Sequence, residues 1–241
     1  MPLKKIIILG GSGAIGSSIA KELIQKNYAP ILISKNKDDI KLIAKKLDCQ
    51  YYVCDVLNTE KLTQTIQEIG DEIFGLAYCV GSINLKPFKL AKENNFLESY
   101  KINTLGAINA IKAAQESLLK NNGSILLFSS VAVQQGFINH SIISTAKGAI
   151  EGLTLSLAAE FAPKIRVNCI APSLTDSKMS QNMIKNENIK KAIGAMHPIP
   201  KIGEGSDFAE LGSYLLSENN KWITGQILHI DGGRSTLRTK A

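Results

Sequence analysis

The sequence predicts an α/β protein, a single domain over residues 1–241 built on a doubly wound parallel sheet with helices on both faces. Two observations carry this. Short apolar runs alternate with longer stretches of helical periodicity along the whole chain, the pattern of parallel strands joined by right-handed crossovers. Several of those runs are continuously apolar, as strands covered on both faces are. The length, 241 residues, fits one such domain.

The first strand is read at 5–9 and leads into Gly10-Gly11-Ser12-Gly13-Ala14-Ile15-Gly16 and a helix at 14–27. Its apolar run is too short for a signal peptide and runs directly into that turn. Strands follow at 30–34, 50–54, 73–80, 124–129, 165–170 and 226–230. Between them the periodicity predicts helices at 37–47, 58–69, 94–120, 144–161 and 206–217. Residues 173–203 break the rhythm. They are polar and rich in Asn and Lys, carry Met179, Met183 and Met196, and end in His197-Pro198-Ile199-Pro200. An insertion there, on the carboxyl edge of the sheet, is read as a substrate lid over an adaptable, partly apolar pocket.

Composition narrows the partners. No apolar run approaches the roughly 18 residues of a membrane span, so no membrane partner and a cytoplasmic location are expected. The four cysteines lack zinc-type pairing and are read as small buried thiols, with no metal. The net charge is +7, but Lys and Arg are dispersed and aromatics make up only 6% of the chain, which argues against a nucleic-acid partner. A basic funnel for a phosphorylated small molecule accounts for the sign equally well.

The glycine turn is where chemistry enters. Gly10, Gly13 and Gly16 follow a strand and open a helix, so the backbone can approach a pyrophosphate seated on the helix N-terminus. At the end of the second strand an acid would hold a ribose 2′-hydroxyl and a cation would favour a 2′-phosphate. The chain has Ser34-Lys35-Asn36 there, with no acid before Asp38, which favours NADP(H) over NAD(H) unless Lys35 is only a solvated loop residue.

Later motifs resemble the short-chain dehydrogenase/reductase family over essentially the whole chain. They are Cys54-Asp55-Val56, Asn103-Thr104-Leu105-Gly106, Phe128-Ser129-Ser130, Ala146-Lys147, Arg166-Val167-Asn168 with Ala171-Pro172, and Trp222-Ile223-Thr224-Gly225 through Asp231-Gly232-Gly233. The resemblance implies a Rossmann-type seven-stranded sheet of order 3-2-1-4-5-6-7. It also implies a small-molecule substrate and a homodimer or homotetramer formed through the fourth helix and the helix that carries Lys147. It makes Ser130 the substrate-polarising serine and Lys147 the holder of the nicotinamide ribose. Asn103 sits at a helix distortion that supports a proton-relay water, and Asp55 holds the adenine. Ser12, Ile15, Val56, Val80, Gly81, Pro172, Leu174 and Thr175 complete the implied cofactor cradle with the glycines and with Ser34, Lys35 and Asn36.

Four departures accompany the resemblance. The glycine spacing is that of the family's longer branch, although the length and the Asp-Gly-Gly ending favour the shorter one. The polar Asn-Asn-Ala-Gly after the fourth strand appears as Tyr78-Cys79-Val80-Gly81, and the Gly after Pro172 is Ser173. Most consequentially, the family's catalytic Tyr, four residues before the lysine and thirteen after the serine, falls on Ile143. Ile has no proton to give. His140, seven residues before Lys147, matches the spacing at which the family's enoyl reductases place their Tyr. It is either a substitute donor or an ordinary loop histidine. Tyr78 is the nearest tyrosine in topology, and its strand position argues for packing. Two functions are therefore carried forward. One is an NADP-dependent oxidoreductase acting on a carbonyl or activated C=C with an altered proton donor. The other is an NADP(H)-binding sensor or assembly partner with impaired turnover.

Overall fold

The computed structural model describes residues 2–239. Among them, seven parallel strands form one sheet of order β3-β2-β1-β4-β5-β6-β7. The strands are β1 Lys5–Leu9, β2 Ala29–Ser34, β3 Gln50–Val53, β4 Ile73–Tyr78, β5 Ser124–Phe128, β6 Arg166–Pro172 and β7 Ile227–Ile230. The helices are α1 Ala14–Gln25, α2 Lys37–Leu47, α3 Thr59–Ile69, α4 Glu93–Tyr100, α5 Gly106–Lys120, α6 Ser141–Phe161, α7 Glu187–Gly194 and α8 Gly205–Leu216.

The alternation of β1 shows why its apolar run is unbroken. Ile7 and Leu9 pack with Leu62 of α3, Ala110 of α5 and Ile150 of α6. Ile6 and Ile8 point the other way, onto Leu23 of α1, Ile40 of α2 and Phe208 of α8. Both faces are covered, so alternation of polar and apolar residues would leave polar groups in a core. Asn168 is the buried exception on β6, and both ends of its amide are bonded. Its Nδ2 donates to Ile223 O at 2.9 Å and its Oδ1 accepts from Gln226 N at 3.1 Å, joining β6 to the approach of β7.

The structure revises three sequence expectations. The helix read at 94–120 is two helices joined by a turn of π-helix, Lys101–Leu105, within which the backbone register changes. Helix α6 starts at Ser141 rather than 144, because Ile142 and Ile143 are drawn into its buried face. The region 173–203 contains a helix, α7, capped by the Asn186 side chain, which accepts from Ile189 N at 2.9 Å. Its eight residues in a polar stretch gave too short a periodic signal to read. Among the described residues no helix is long and apolar enough to cross a membrane.

Candidate active site

The carboxyl ends of β1, β4, β5 and β6 open onto one edge of the sheet, and the chain places its unusual backbone there. Gly10 turns at φ +77°, and a Cβ at this position would fall 2.8 Å from the carbonyl of Cys79. The turn therefore needs glycine both for its conformation and for the close approach of β4. It delivers the chain to α1, whose N-cap is Gly13, with no side-chain cap and no acid in the first turn. The first amides of α1 and the positive end of its dipole are left uncompensated by the protein, which suits a phosphate. Ile15 faces the adjoining cleft, and Gly16 is buried against the turn. Ser12 and Ser34 join the turn to the end of β2 through a 2.8 Å hydroxyl contact.

Beside that contact lies a shallow cleft lined by Lys35, Asn36 and Asp55 together with Asn58 and Lys61. The side chain of Asn36 caps α2, accepting from Asp38 N and Asp39 N at 3.1 Å each. Asp55 Oδ1 accepts from Leu57 N at 3.0 Å. Val56 is a core residue, so its side chain is turned away from this cleft. Lys61 is absent from the sequence expectations. It is brought opposite Lys35 because β2 and β3 are neighbours, with Ser34 beside Val53, a proximity that local spacing does not encode.

The principal cleft, about 340 Å³, gathers Ser130, Lys147, Asn103 and His140 with Ile143. Val80, Gly81, Pro172, Leu174 and Thr175 line it as well. Its polar floor is organised by the π turn. Tyr78, almost wholly buried, donates from its hydroxyl to Ile102 O at 2.6 Å, supplying a partner for a carbonyl inside the distorted turn. Burial raises the pKa of this phenol well above its usual range, with a smaller contribution from Asp55. A Cβ on Gly106 would sit 2.2 Å from the Tyr78 hydroxyl. Tyr78 and Gly106 therefore fit as a pair, and the strand tyrosine is a packing residue as expected.

Within the turn, Asn103 is fully buried. Its Nδ2 donates to Ser99 O at 2.9 Å and to Ser82 Oγ at 3.1 Å, and its Oδ1 accepts from Ser82 N at 3.3 Å. The side-chain amide is thus occupied by protein. Lys147 lies close by, because a Cβ on Gly81 would be 2.9 Å from Asn103 Oδ1 and 3.5 Å from Lys147 Nζ. The Lys147 ammonium is buried, donates to Phe128 O at 2.7 Å, and pairs with no carboxylate among the described residues. Desolvation lowers its pKa to about 8. A buried cation with spare donors needs a polar ligand, and a ribose fits that need.

Ser130 sits past the end of β5, its Oγ accepting from Ala132 N at 3.2 Å. Ile143 is buried one helical turn before Lys147 on α6. The hydroxyls that flank it are engaged. Ser144 donates to Ala132 O at 2.8 Å, and Thr145 donates back into the helix to Ile142 O at 3.0 Å. His140 is the N-cap residue of α6 and makes no side-chain cap. Its Nδ1 is 2.7 Å from Ile138 O and its ring leans on Phe137, with centroids 5.3 Å apart.

The segment after β6 closes over this edge. Lys178 pairs with Asp39 of α2 at 2.6 Å, and Lys190 of α7 pairs with Asp176 at 2.6 Å. Its two ends are joined where Gly203 N donates to Leu174 O at 3.0 Å. Sequence reasoning also missed a polar pair in the cleft wall, Ser173 Oγ and His197 Nε2, 2.8 Å apart. The signal was Ser173 itself, standing where the family pattern has Gly after Pro172.

The pattern of the family described as enoyl-(acyl carrier protein) reductase matches residues 11–235. The chain belongs to the short-chain dehydrogenase/reductase family. Its relatives include a 3-oxoacyl-[acyl-carrier-protein] reductase of Mus musculus, 30% identical over 236 residues, covering 95% of this chain and 97% of the mouse protein. A peroxisomal 2,4-dienoyl-CoA reductase of Saccharomyces cerevisiae is 29% identical over 97% of this chain and 79% of its own length. Among solved structures, ElxO with NADP bound superposes with a TM-score of 0.90 at 28% identity, covering 98% of this chain and all of that one. This short-chain dehydrogenase/reductase is accordingly an NAD(P)-dependent oxidoreductase whose reaction class is hydride transfer.

Proposed function

We propose that this chain is an NADP(H)-dependent reductase of a carbonyl or activated C=C whose proton donor is not the residue at position 143. The observation that carries the reading is the Lys147 ammonium, buried in the principal cleft without a carboxylate partner among the described residues and adjoining Asn103 and Gly81. That arrangement supports a ligand at this point, and Ser130 supports one with an oxygen to polarise. Preference for the phosphorylated cofactor is supported by Lys35 and Lys61 facing one cleft at the end of β2. It is also supported by the NADP held by the ElxO relative. The relatives' names cover both a ketone and a conjugated C=C substrate, and acyl thioesters are our substrate class.

Bound nicotinamide would supply the hydride. The protein's part is to orient and to manage charge. The α1 amides, with Gly10, Gly13 and Gly16, receive the pyrophosphate. Ser12, Ser34, Lys35 and Asn36 flank the adenosine ribose and Asp55 the adenine, with Val56 contributing packing behind them. Ile15, Val80, Gly81, Pro172, Leu174 and Thr175 shape the wall around the nicotinamide. Lys147 donates to its ribose, and the π turn at Asn103 supports an ordered water between that lysine and solvent. The 173–203 segment acts as a lid, latched to α2 by Lys178 and Asp39. Exposed Leu97, Tyr100 and Leu105 on the α4–α5 side and Leu155 on α6 support a homodimer or homotetramer through those helices.

With a hydrocarbon at 143, losing a general acid there costs about 10²–10⁴ in rate, or roughly 3–5 kcal/mol of barrier. The test follows NADPH oxidation with acetoacetyl-CoA and crotonyl-CoA. Wild type turns over slowly, and Ile143→Tyr is faster toward the ketone. His140→Ala shows whether the loop histidine contributes. Tight NADPH binding with no turnover of either probe would instead favour the sensor or assembly reading.

A further inference from the structure

The geometry points to Ser173 and His197 as the substitute proton source, with the Ser173 hydroxyl delivering a proton to the substrate oxygen and His197 resupplying it. This rests on the reductase reading above and assigns its missing step.

His197 is 5% exposed, although it lies in the insertion after β6. Its Nδ1 is 3.1 Å from Ile193 O and 3.3 Å from Gly194 O. Carbonyls only accept, so Nδ1 carries a hydrogen and the ring is held in one tautomer. In the neutral ring Nε2 is then an acceptor, and the Ser173 hydroxyl donates to it across 2.8 Å. When the ring is protonated the direction reverses: Nε2 donates to Ser173 Oγ, and the serine hydroxyl is free to donate elsewhere.

That hydroxyl is placed to reach a substrate. Val131 N donates to Pro172 O at 3.1 Å, so Ser130 and Ser173 flank the same backbone bond at the ends of adjacent strands. Both serines line the principal cleft, as do His197, Ile143 and Lys147. An oxygen polarised by Ser130 would then share this cleft with the Ser173 hydroxyl. His140, the alternative, also lines the cleft but is only half-buried, and its Nδ1 is bonded to the Ile138 carbonyl rather than to a hydroxyl. A buried, hydrogen-bonded relay is the arrangement that shields a proton transfer from bulk water.

The step balances. As the carbonyl carbon receives the hydride, its oxygen takes the Ser173 proton. Ser173 Oγ takes the proton from His197 Nε2, and the imidazole is left neutral with Nδ1 still bonded to Ile193 O. Solvent reprotonates it. Ser173 is the catalytic residue in this scheme, and His197 a positioning and relay residue that acts through it.

The test uses the full chain with Ser173→Gly and His197→Gln. Glycine is the residue the family pattern has after Pro172, so loss of folding does not confound the first variant. We expect kcat with acetoacetyl-CoA and NADPH to fall about 100-fold in each, the low end for a general acid. KM should move by less than about threefold, and the double variant should be no slower than the singles, as residues acting as one unit behave. NADPH affinity, read by fluorescence titration, should be unchanged. Independently of turnover, nitrogen-15 spectra of the cofactor-free protein should show His197 protonated at Nδ1, with its Nε2 resonance shifting in Ser173→Gly. A Ser173→Gly variant that keeps wild-type kcat overturns the relay and leaves the reductase reading intact. A wild type that binds NADPH but reduces neither acetoacetyl-CoA nor crotonyl-CoA overturns both.

Discussion

Replacing Lys147 by Met should separate what this lysine costs the fold from what it does for the ligand. Lys147 keeps its proton to its ordinary value of 10.5 when unfolded but only to about 8 when folded, because the site desolvates it. That difference corresponds to about 3 kcal/mol against the charged form in the native state. Met has a similar length and no charge, so Lys147→Met recovers this cost at pH 7. It also strips Phe128 O of its partner at 2.7 Å, a loss of about 1–3 kcal/mol. The balance is roughly 1 kcal/mol in favour of the variant, a rise in Tm of about 2–4 °C for a domain of this size. The pH dependence sharpens the test. Between about 8 and 10.5 the unfolded chain holds more protons at this site than the native one, so this group raises wild-type stability as pH rises through that window. Lys147→Met should lack that rise. Denaturant unfolding at pH 7 and pH 10, with NADPH titration in parallel, reads both sides, and affinity for NADPH should fall at least tenfold. A variant clearly less stable than wild type at pH 7, or one that binds NADPH equally well, would refute the reasoning.

Other outcomes follow from the same geometry. Gly106→Ala places a methyl 2.2 Å from the Tyr78 hydroxyl and should destabilise by about 1–3 kcal/mol, while the double change with Tyr78→Phe recovers part of the loss; urea unfolding measures both. Tyr78→Phe alone leaves Ile102 O without its 2.6 Å partner and should cost about 1–2 kcal/mol by the same assay. Lys35→Ala and Lys61→Ala should each weaken NADPH binding about tenfold and leave NADH binding little changed, as parallel titrations would show. Asp39→Asn removes the partner of Lys178 at an exposed pair. It should change stability by less than about 1 kcal/mol while hastening NADPH release in stopped flow.

The sheet was legible because its physics is local. Ile6 to Leu9 had to be a strand covered on both faces, and the glycine turn after it could lead only into a helix. Order and connectivity followed from the resemblance. The π turn at Lys101–Leu105 was not legible as an element, since one extra residue per turn leaves no periodic signature in a helix of that length. Pairings across strands were also hidden. Lys61 reaches the cleft of Lys35 through β2–β3 pairing, and His197 meets Ser173 because a segment of more than twenty residues folds back on itself. The sequence did mark the cleft's two oddities, Ile143 and Ser173, as residues out of pattern. What it lacked was the distance that joins the second of them to a histidine.

Hydride transfer without a proton donor at position 143 can be followed by isotope transfer from the cofactor. NADPH deuterated at the reactive C4 position would be incubated with the wild-type protein and acetoacetyl-CoA or crotonyl-CoA, and the acyl product examined by mass spectrometry. A product one mass unit heavier is expected from at least one probe, formed faster from acetoacetyl-CoA by Ile143→Tyr. NADPH that binds tightly yet leaves no deuterium in either product would contradict it.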